Sequence, residues 1–324
     1  MSEAVFCIVG AIVGAGFASG REIMQFFSRY GTLSWLPVLF ASAVMVLLIF
    51  LLTARKKENN DFRNRYVFHA PQILLYGTVA GSMAAAAGEL TALTVPLRHA
   101  RAFGTLLTLA GCAALSGRSL RGMALLGKLL IPGMAAAFLL ILRLPHSQAL
   151  PVKIQWQDVL LSFLHGTGYC GLNAALIASV ASKAGKGKSK KERGKIALSS
   201  GLAFGALLAL GNAALLPYAA TLWDAALPVV TLLRSYGKKG YYLCALVLYL
   251  AVATTLIAAL RGLREAFPGR RRGAWAALIA AMASMLGFQD IVAKGYPILG
   301  WFCLAGLLFS NFPYVLKQKN TAVR

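Results

Sequence analysis

The residues in this chain best placed to do chemistry lie inside an apolar run near its start. Residues 4–17 are apolar or small, and Gly14, Gly16, Ser19 and Gly20 then lead into Arg21 and Glu22, at a depth where hydrocarbon is still expected. Glycine has the most backbone freedom to lose in a helix. In lipid, non-helical backbone is tolerated only where protein encloses it or where it lines a cavity. The expectation is a helix that breaks near the bilayer midplane, exposing carbonyls and half-helix ends that can hold an ion or a small charged solute. The alternative is that these glycines only let another helix approach closely. A second cluster sets Gly166, Gly168 and Gly171 among His165, Thr167, Tyr169 and Asn173, again in mid-run, and predicts a second break. Two breaks, each in the first span of a five-span half, form the pattern of an inverted repeat around one shared site.

The candidate solute site therefore comprises Gly14, Ala15, Gly16, Ser19 and Gly20 from the first segment and Gly166, Thr167, Gly168, Tyr169 and Asn173 from the second. For an amino-acid solute, a carboxylate suits the free N–H groups near Ser19 and Gly20, where a half-helix dipole is positive. An ammonium suits the released carbonyls, Tyr169 covers the side chain, and Thr167 or Asn173 donates to it. Thr254 and Thr255 interrupt the aliphatic run AVATTLIAAL. Their hydroxyls offer hard oxygens for sodium, or simply bond back one turn. Ionisable groups within spans are expensive and mark functional hypotheses. Glu89 suits a proton relay, a contact to a cationic solute or an ion pair, and Lys128 a proton-coupling role or snorkelling to the interface. Arg21 and Glu22 suit a gate, and His165 titrates near neutrality.

These residues need a membrane scaffold to position them, and composition supplies one. The chain has 324 residues, 58% hydrophobic and 13% charged, with mean hydropathy +0.68, against about 25% charged residues in soluble domains. About ten runs approach the length needed to cross hydrocarbon: residues 3–28, 35–53, 69–95, 103–116, 123–142, 159–181, 196–218, 241–263, 274–291 and 296–316. Residues 224–239 are too short to cross and are expected to form a helix or re-entrant element over an external vestibule. The fold class expected is an all-α polytopic membrane protein, one integral domain with a first five-helix repeat over residues 1–150 and a second over 151–324. The first apolar run continues into the Gly-rich motif, so it is expected to be retained rather than removed as a signal peptide.

The formal charge of +23 sits in short Lys/Arg clusters between apolar runs, such as Arg55, Lys56 and Lys57 or residues 183–195. That distribution fits the positive-inside rule with both termini cytoplasmic, in the cytoplasmic membrane, and does not call for a nucleic-acid partner; anionic headgroups are the other polyanion such clusters suit. The five cysteines lie in apolar segments without CxxC spacing, which argues against a disulfide framework or a zinc site. No phosphate loop, HExxH or nucleophile–base arrangement stands out. The expectation is no enzyme and no cofactor, with sodium or a proton as the coupling ion.

GAIVGAGFASGREIMQFFSRYG, with GTGYCGLN and GFQDIVAKGYPILGW further on, resembles the YkvI family of bacterial membrane proteins, treated as amino-acid permeases of the amino acid–polyamine–organocation superfamily. The resemblance implies a LeuT-type five-plus-five fold with broken first and sixth helices and alternating access around a central site. It also implies, by analogy with sodium-coupled members, an ion held by Gly10, Val13, Thr254 and Thr255, and, by analogy with proton-coupled members, a lysine in Lys128's position replacing sodium. The function expected is ion-coupled transport of a small amine-containing solute such as an amino acid. The alternative is a ligand sensor of the same fold, a receptor subunit that binds without transporting.

Overall fold

The computed structural model describes residues 2–54, 65–117, 121–145, 156–267 and 271–307. Among them the regular elements are all helices, without strands. The first segment is divided into α1 (Ser2–Ile12), α2 (Ala15–Ala18) and α3 (Arg21–Phe26). A 3-10 stretch, Ser28–Ser34, leads into α4 (Trp35–Ala54), followed by α5 (Arg65–Thr94), α6 (Ala100–Leu115) and α7 (Arg121–Ile141). The second half contains α8 (Trp156–Gly185), α9 (Lys190–Leu215), the short α10 (Pro228–Leu233), α11 (Gly237–Ala266) and α12 (Arg272–Ser284). It closes with α13 (Phe288–Leu307), which passes through a π-helical turn at Ile291–Gly295.

Helices stand where the ten spans were expected, but among the described residues five are long and apolar enough to cross a membrane by themselves, or six if α12 and α13, bent by 90° at Gly287, are taken as one crossing. The reason is length: α6 has 16 residues and rises only about 24 Å, short of the ~30 Å hydrocarbon core. Leu39, Leu106, Leu243 and Phe302 are exposed on helix faces, which suits lipid and would be a liability in water. The expected repeat boundary at residue 150, the last part of the tenth span, and Arg55, Lys56, Lys57 and Arg118 lie outside the described residues.

Packing divides the helices into two groups. α4 lies against α8 and α9, and α1 joins them; α5 lies against α6, α11 and α12. Each group draws members from both halves of the chain. α2 and α3 run between the groups: α2 meets α11 and α5, while α3 meets α8, α9 and the π-helical turn. At the α9 end, Ser189 and Glu192 form a reciprocal capping box, which satisfies two otherwise orphaned N–H groups. The Ser189 backbone N–H, then its hydroxyl, holds the Glu192 carboxyl below the usual carboxylate range.

One expectation is corrected. α8 is a single helix through Gly166, Gly168 and Gly171, so the sixth segment is not broken. Its glycines serve close packing. A Cβ at Gly171 would strike the Gly300 carbonyl, and one at Gly300 would strike the Gly168 carbonyl, so α8 and α13 meet backbone to backbone. Such proximity is how small residues promote association in lipid, where the hydrophobic effect between helices is lost. Gly166 faces Pro37 of α4 instead. Gly300→Ala is therefore expected to destabilise the protein by about 1–3 kcal/mol, as overpacking does. Gly111→Ala, with open space at its Cβ, should leave the thermal midpoint unchanged or raised; thermal unfolding of the two purified variants checks both.

Candidate functional site

The first segment breaks twice. The Val13 amide still bonds the Val9 carbonyl at 2.8 Å, but the Gly14 amide turns to Ile12 O at 2.7 Å, so the Gly10 carbonyl loses its helical donor. After the single turn of α2, the Gly20 amide bonds Phe17 O at 3.0 Å and the chain reverses at φ +80°, a conformation open to glycine and strained for other residues. Ser19 ties the second break together. Its hydroxyl donates to Gly16 O at 2.8 Å and accepts from the Arg21 amide at 3.2 Å.

Glu22 occupies the centre of this arrangement. Its side chain folds back along α3 so that the carboxylate lies against Gly16; a Cβ there would collide with Oε1. The Tyr169 hydroxyl of α8 donates to Glu22 Oε2 at 3.1 Å. Tyr296 of α13 donates to Ser82 Oγ of α5 at 2.9 Å, and all four of these side chains are buried. Gln25, one turn beyond Glu22 on the same face of α3, donates to Ala293 O in the π-helical turn at 3.3 Å, while its buried Oε1 has no partner among the described residues. Among the described residues Glu22 has no ion pair. A carboxylate removed from water without a cation is costly, and a proton or a bound cation relieves it.

One face of the break is covered. α10 reaches across it, and the Val229 amide donates to the carbonyl of Ser19 at 3.0 Å. Leu215 and Val229 close over Gly20. Beyond them, Arg21 turns away from Glu22 and donates through Nη1 to the Trp223 carbonyl, with its guanidinium 5.2 Å from the Trp223 ring centre. Arg29 lies 5.3 Å from the same ring, so two cations engage one indole. Toward the α1 end the burial is looser. Gly10, Gly14, Thr254 and Thr255 are partly exposed, whereas residues 16–28 are buried. A cleft of about 420 Å³ on the α10 side is lined by Glu89, Arg101, Asp224, Thr231, Phe288 and Asp290, among others, the place where residues 224–239 were expected to cover a vestibule.

The remaining candidates separate. Tyr169 is the residue of the α8 set seen in contact with the first segment's carboxylate. Thr167 donates back to Phe163 O at 2.7 Å, Asn173 donates to Tyr169 O at 3.0 Å, and Gly168 packs on Trp301. Thr254 and Thr255 both donate to Ala251 O, at 3.0 and 2.9 Å. That bonding uses their protons and leaves oxygen lone pairs available, and Thr255 Oγ1 would be 3.4 Å from a Cβ at Gly14. Val13 is buried at the first break. Glu89 pairs with Arg101 at 3.0 Å, and Lys128 is exposed. His165 Nδ1 lies 2.5 Å from the Tyr30 hydroxyl. Sequence reasoning missed Gln25, Trp223, Val229 and Tyr296. Gln25 carried a legible signal, a polar residue three positions after Glu22 in an apolar setting; the other three act through contacts distant in the chain.

No family model matches the chain. It is 23% identical over 338 residues to the uncharacterized membrane protein YkvI of Bacillus subtilis (strain 168), covering 94% of this chain and 93% of that protein. It is 25% identical over 320 residues to the uncharacterized protein YyaD of the same organism, covering 90% of each. Among solved structures it is similar to a manganese transporter of Eremococcus coleocola, crystallised with an aromatic bis-isothiourea substituted compound: TM-score 0.48, 15% identity, 99% of this chain and 70% of that one. The similarity to YkvI thus extends well beyond the opening motif, and with its long apolar helices the chain is a membrane protein.

Two outcomes follow from the geometry. In a double-mutant cycle, Gly16→Ala should destabilise the parent more than it destabilises Glu22→Ala, with a coupling of about 0.5–3 kcal/mol as expected for groups in contact, read from thermal or denaturant unfolding. Val229→Cys, with the native cysteines replaced, should resist a membrane-impermeant maleimide in the parent and become labelled in a Trp223→Ala background. Equal labelling in both would show that Trp223 does not hold α10 in place.

Proposed function

We propose that the protein is a secondary active transporter that moves a small amine-bearing solute across the cytoplasmic membrane by ion-coupled alternating access, with a ten-helix, LeuT-type five-plus-five architecture. The observation that carries this reading is the buried, unpaired Glu22 carboxylate folded onto Gly16 within a twice-broken first segment. A static helix bundle gains nothing from such a group, whereas a protein that takes up and releases a cation needs one. Supporting it, the two helix groups each combine segments from both halves of the chain, as an internal repeat would arrange them. Burial is also lopsided, with the α10 side covered and the α1 side looser, as expected of one state in an alternating cycle.

Two couplings are compatible with these residues. Sodium would use Gly10 and Val13 carbonyls with the lone pairs of Thr254 and Thr255. A proton would use Glu22, since Glu89 is paired with Arg101 and Lys128 is exposed. The test is uptake of radiolabelled amines and amino acids into proteoliposomes carrying either a sodium or a proton gradient. Accumulation above protein-free vesicles is expected, with at least a tenfold loss in Glu22→Gln. Loss of the sodium response in Thr254→Ala/Thr255→Ala would assign sodium; a response to the proton gradient alone would assign Glu22. Binding without flux would sink the transport reading and favour a ligand sensor.

A further inference from the structure

We infer that the corner between α8 and α9 binds an anionic phospholipid, its phosphate over Gly194 and its acyl chains along Leu198 and Leu202 of α9. The inference needs a bilayer around the chain and does not depend on transport. Residues 183–195 hold seven cations and a single acid, Glu192. That acid is already committed, since it closes the capping box with Ser189 and lies 3.5 Å from Lys188. Lys183, Lys186, Lys190, Lys191 and Lys195 are exposed and make no ion pair among the described residues. Close packing sets the height of this cluster. A Cβ at Gly185, the last residue of α8, would strike the Thr53 carbonyl near the end of α4. Two apolar helices therefore end together just before α9 begins, and the lysines stand where spans leave hydrocarbon.

The face of α9 below the lysines turns this charge into a site. At helical spacing Lys191, Lys195, Leu198 and Leu202 share one stripe, with the leucines 52% and 62% exposed. Lys195 and Leu198 are three residues apart, an axial rise of about 4.5 Å. One face thus passes from ammonium to lipid-facing leucine within a single turn. Arg193 is not part of it, because it lies on the opposite side of α9 with the buried Ser200 and Phe204. Gly194 interrupts the stripe one turn after Lys190 and Lys191 and one turn before Leu198. A Cβ there would meet nothing within 4 Å among the described residues. The missing side chain leaves a shallow depression, rimmed by ammonium groups toward the loop and by leucine toward the bilayer. An amphiphile with an anion at one end and hydrocarbon at the other matches both rims. A free anion uses only one, and a zwitterionic headgroup brings its own cation toward the lysines. Basic clusters at the ends of membrane helices attract anionic headgroups, and a lysine stem can lie on apolar surface while its ammonium reaches the phosphate level.

The full-length protein, purified in a neutral detergent, is titrated with phosphatidylglycerol or with phosphatidylcholine of the same chain length, and bound lipid is counted by native mass spectrometry. Phosphatidylglycerol is expected to bind roughly ten times more tightly, and Lys191→Gln/Lys195→Gln should weaken it roughly tenfold. Gly194→Leu, which fills the depression without changing charge, should also weaken it. Arg98→Gln/Lys238→Gln removes the same charge from exposed positions at the other end of the helices and should leave binding unchanged. Equal binding of the two lipids by the parent overturns the inference, whatever the variants do. Phosphatidylglycerol binding that survives Lys191→Gln/Lys195→Gln, or that falls equally in Arg98→Gln/Lys238→Gln, overturns it too, by reducing the attraction to net charge. Binding untouched by Gly194→Leu removes the phosphate from Gly194. Displacement of the lipid by an equal concentration of inorganic phosphate would make the site one for a free anion and end the lipid assignment.

Discussion

The constraint on which this structure depends is that a polar backbone cannot be left bare in hydrocarbon. Breaking the first segment at Val13–Gly14 and again at Ser19–Gly20 frees peptide groups that a continuous helix would have paired, and the surrounding fold is arranged to deal with them. Ser19 bridges the second break through its hydroxyl, and its carbonyl is met by the Val229 amide of α10. α10 thus has a reason to cross the bundle: it caps an interruption that cannot face lipid. The two helix groups enclose the rest, with α2 held on α11 and α3 on α8 and α9.

Glycine plays two opposite parts under this constraint. In α8, Gly168 and Gly171 remain helical because the gain lies in contact with Gly300, where α8 and α13 approach at backbone distance. In the first segment, Gly20 is not helical at all, and Gly16 is bare so that a carboxylate can rest on its Cα. Both clusters hold three glycines; the partner opposite each decides between them. Against Gly300 a missing side chain promotes packing, and against Glu22 it makes room for a charge.

In the transport cycle proposed above, that charge would link the break to movement. Over the break itself the cover is held by one backbone hydrogen bond from Val229, the apolar closure over Gly20, and the Trp223 indole between Arg21 and Arg29, while α10 also packs on α7 and α11. Arg21 and Glu22 are adjacent in sequence yet serve opposite directions, one gripping the cover and the other facing the buried centre. A change in the charge state of Glu22 is therefore adjacent, through a single peptide unit on α3, to the residue that holds the cover. In the proposed cycle, such proximity is the geometric minimum for coupling between a site and its gate.

Much of this was legible in the sequence. The apolar runs, the helical class, the break in the first segment and the approximate place of every helix followed from hydrophobic length and from the poor helix propensity of clustered glycines, both local properties. Tyr169 and Glu22 were also recognisable as unusual, since polar groups within spans are expensive wherever they point. Only the tertiary structure decided which glycine cluster breaks and which packs, because Gly171 is read differently once Gly300 lies opposite it. It also decided that Glu89 belongs to Arg101, that Thr167 and Asn173 bond within α8, and that Glu22 meets Tyr169 while Arg21 meets Trp223. These outcomes depend on contacts between residues far apart in the chain, which no local propensity encodes: sequence determines what each segment must bury or satisfy, and packing determines with which partner.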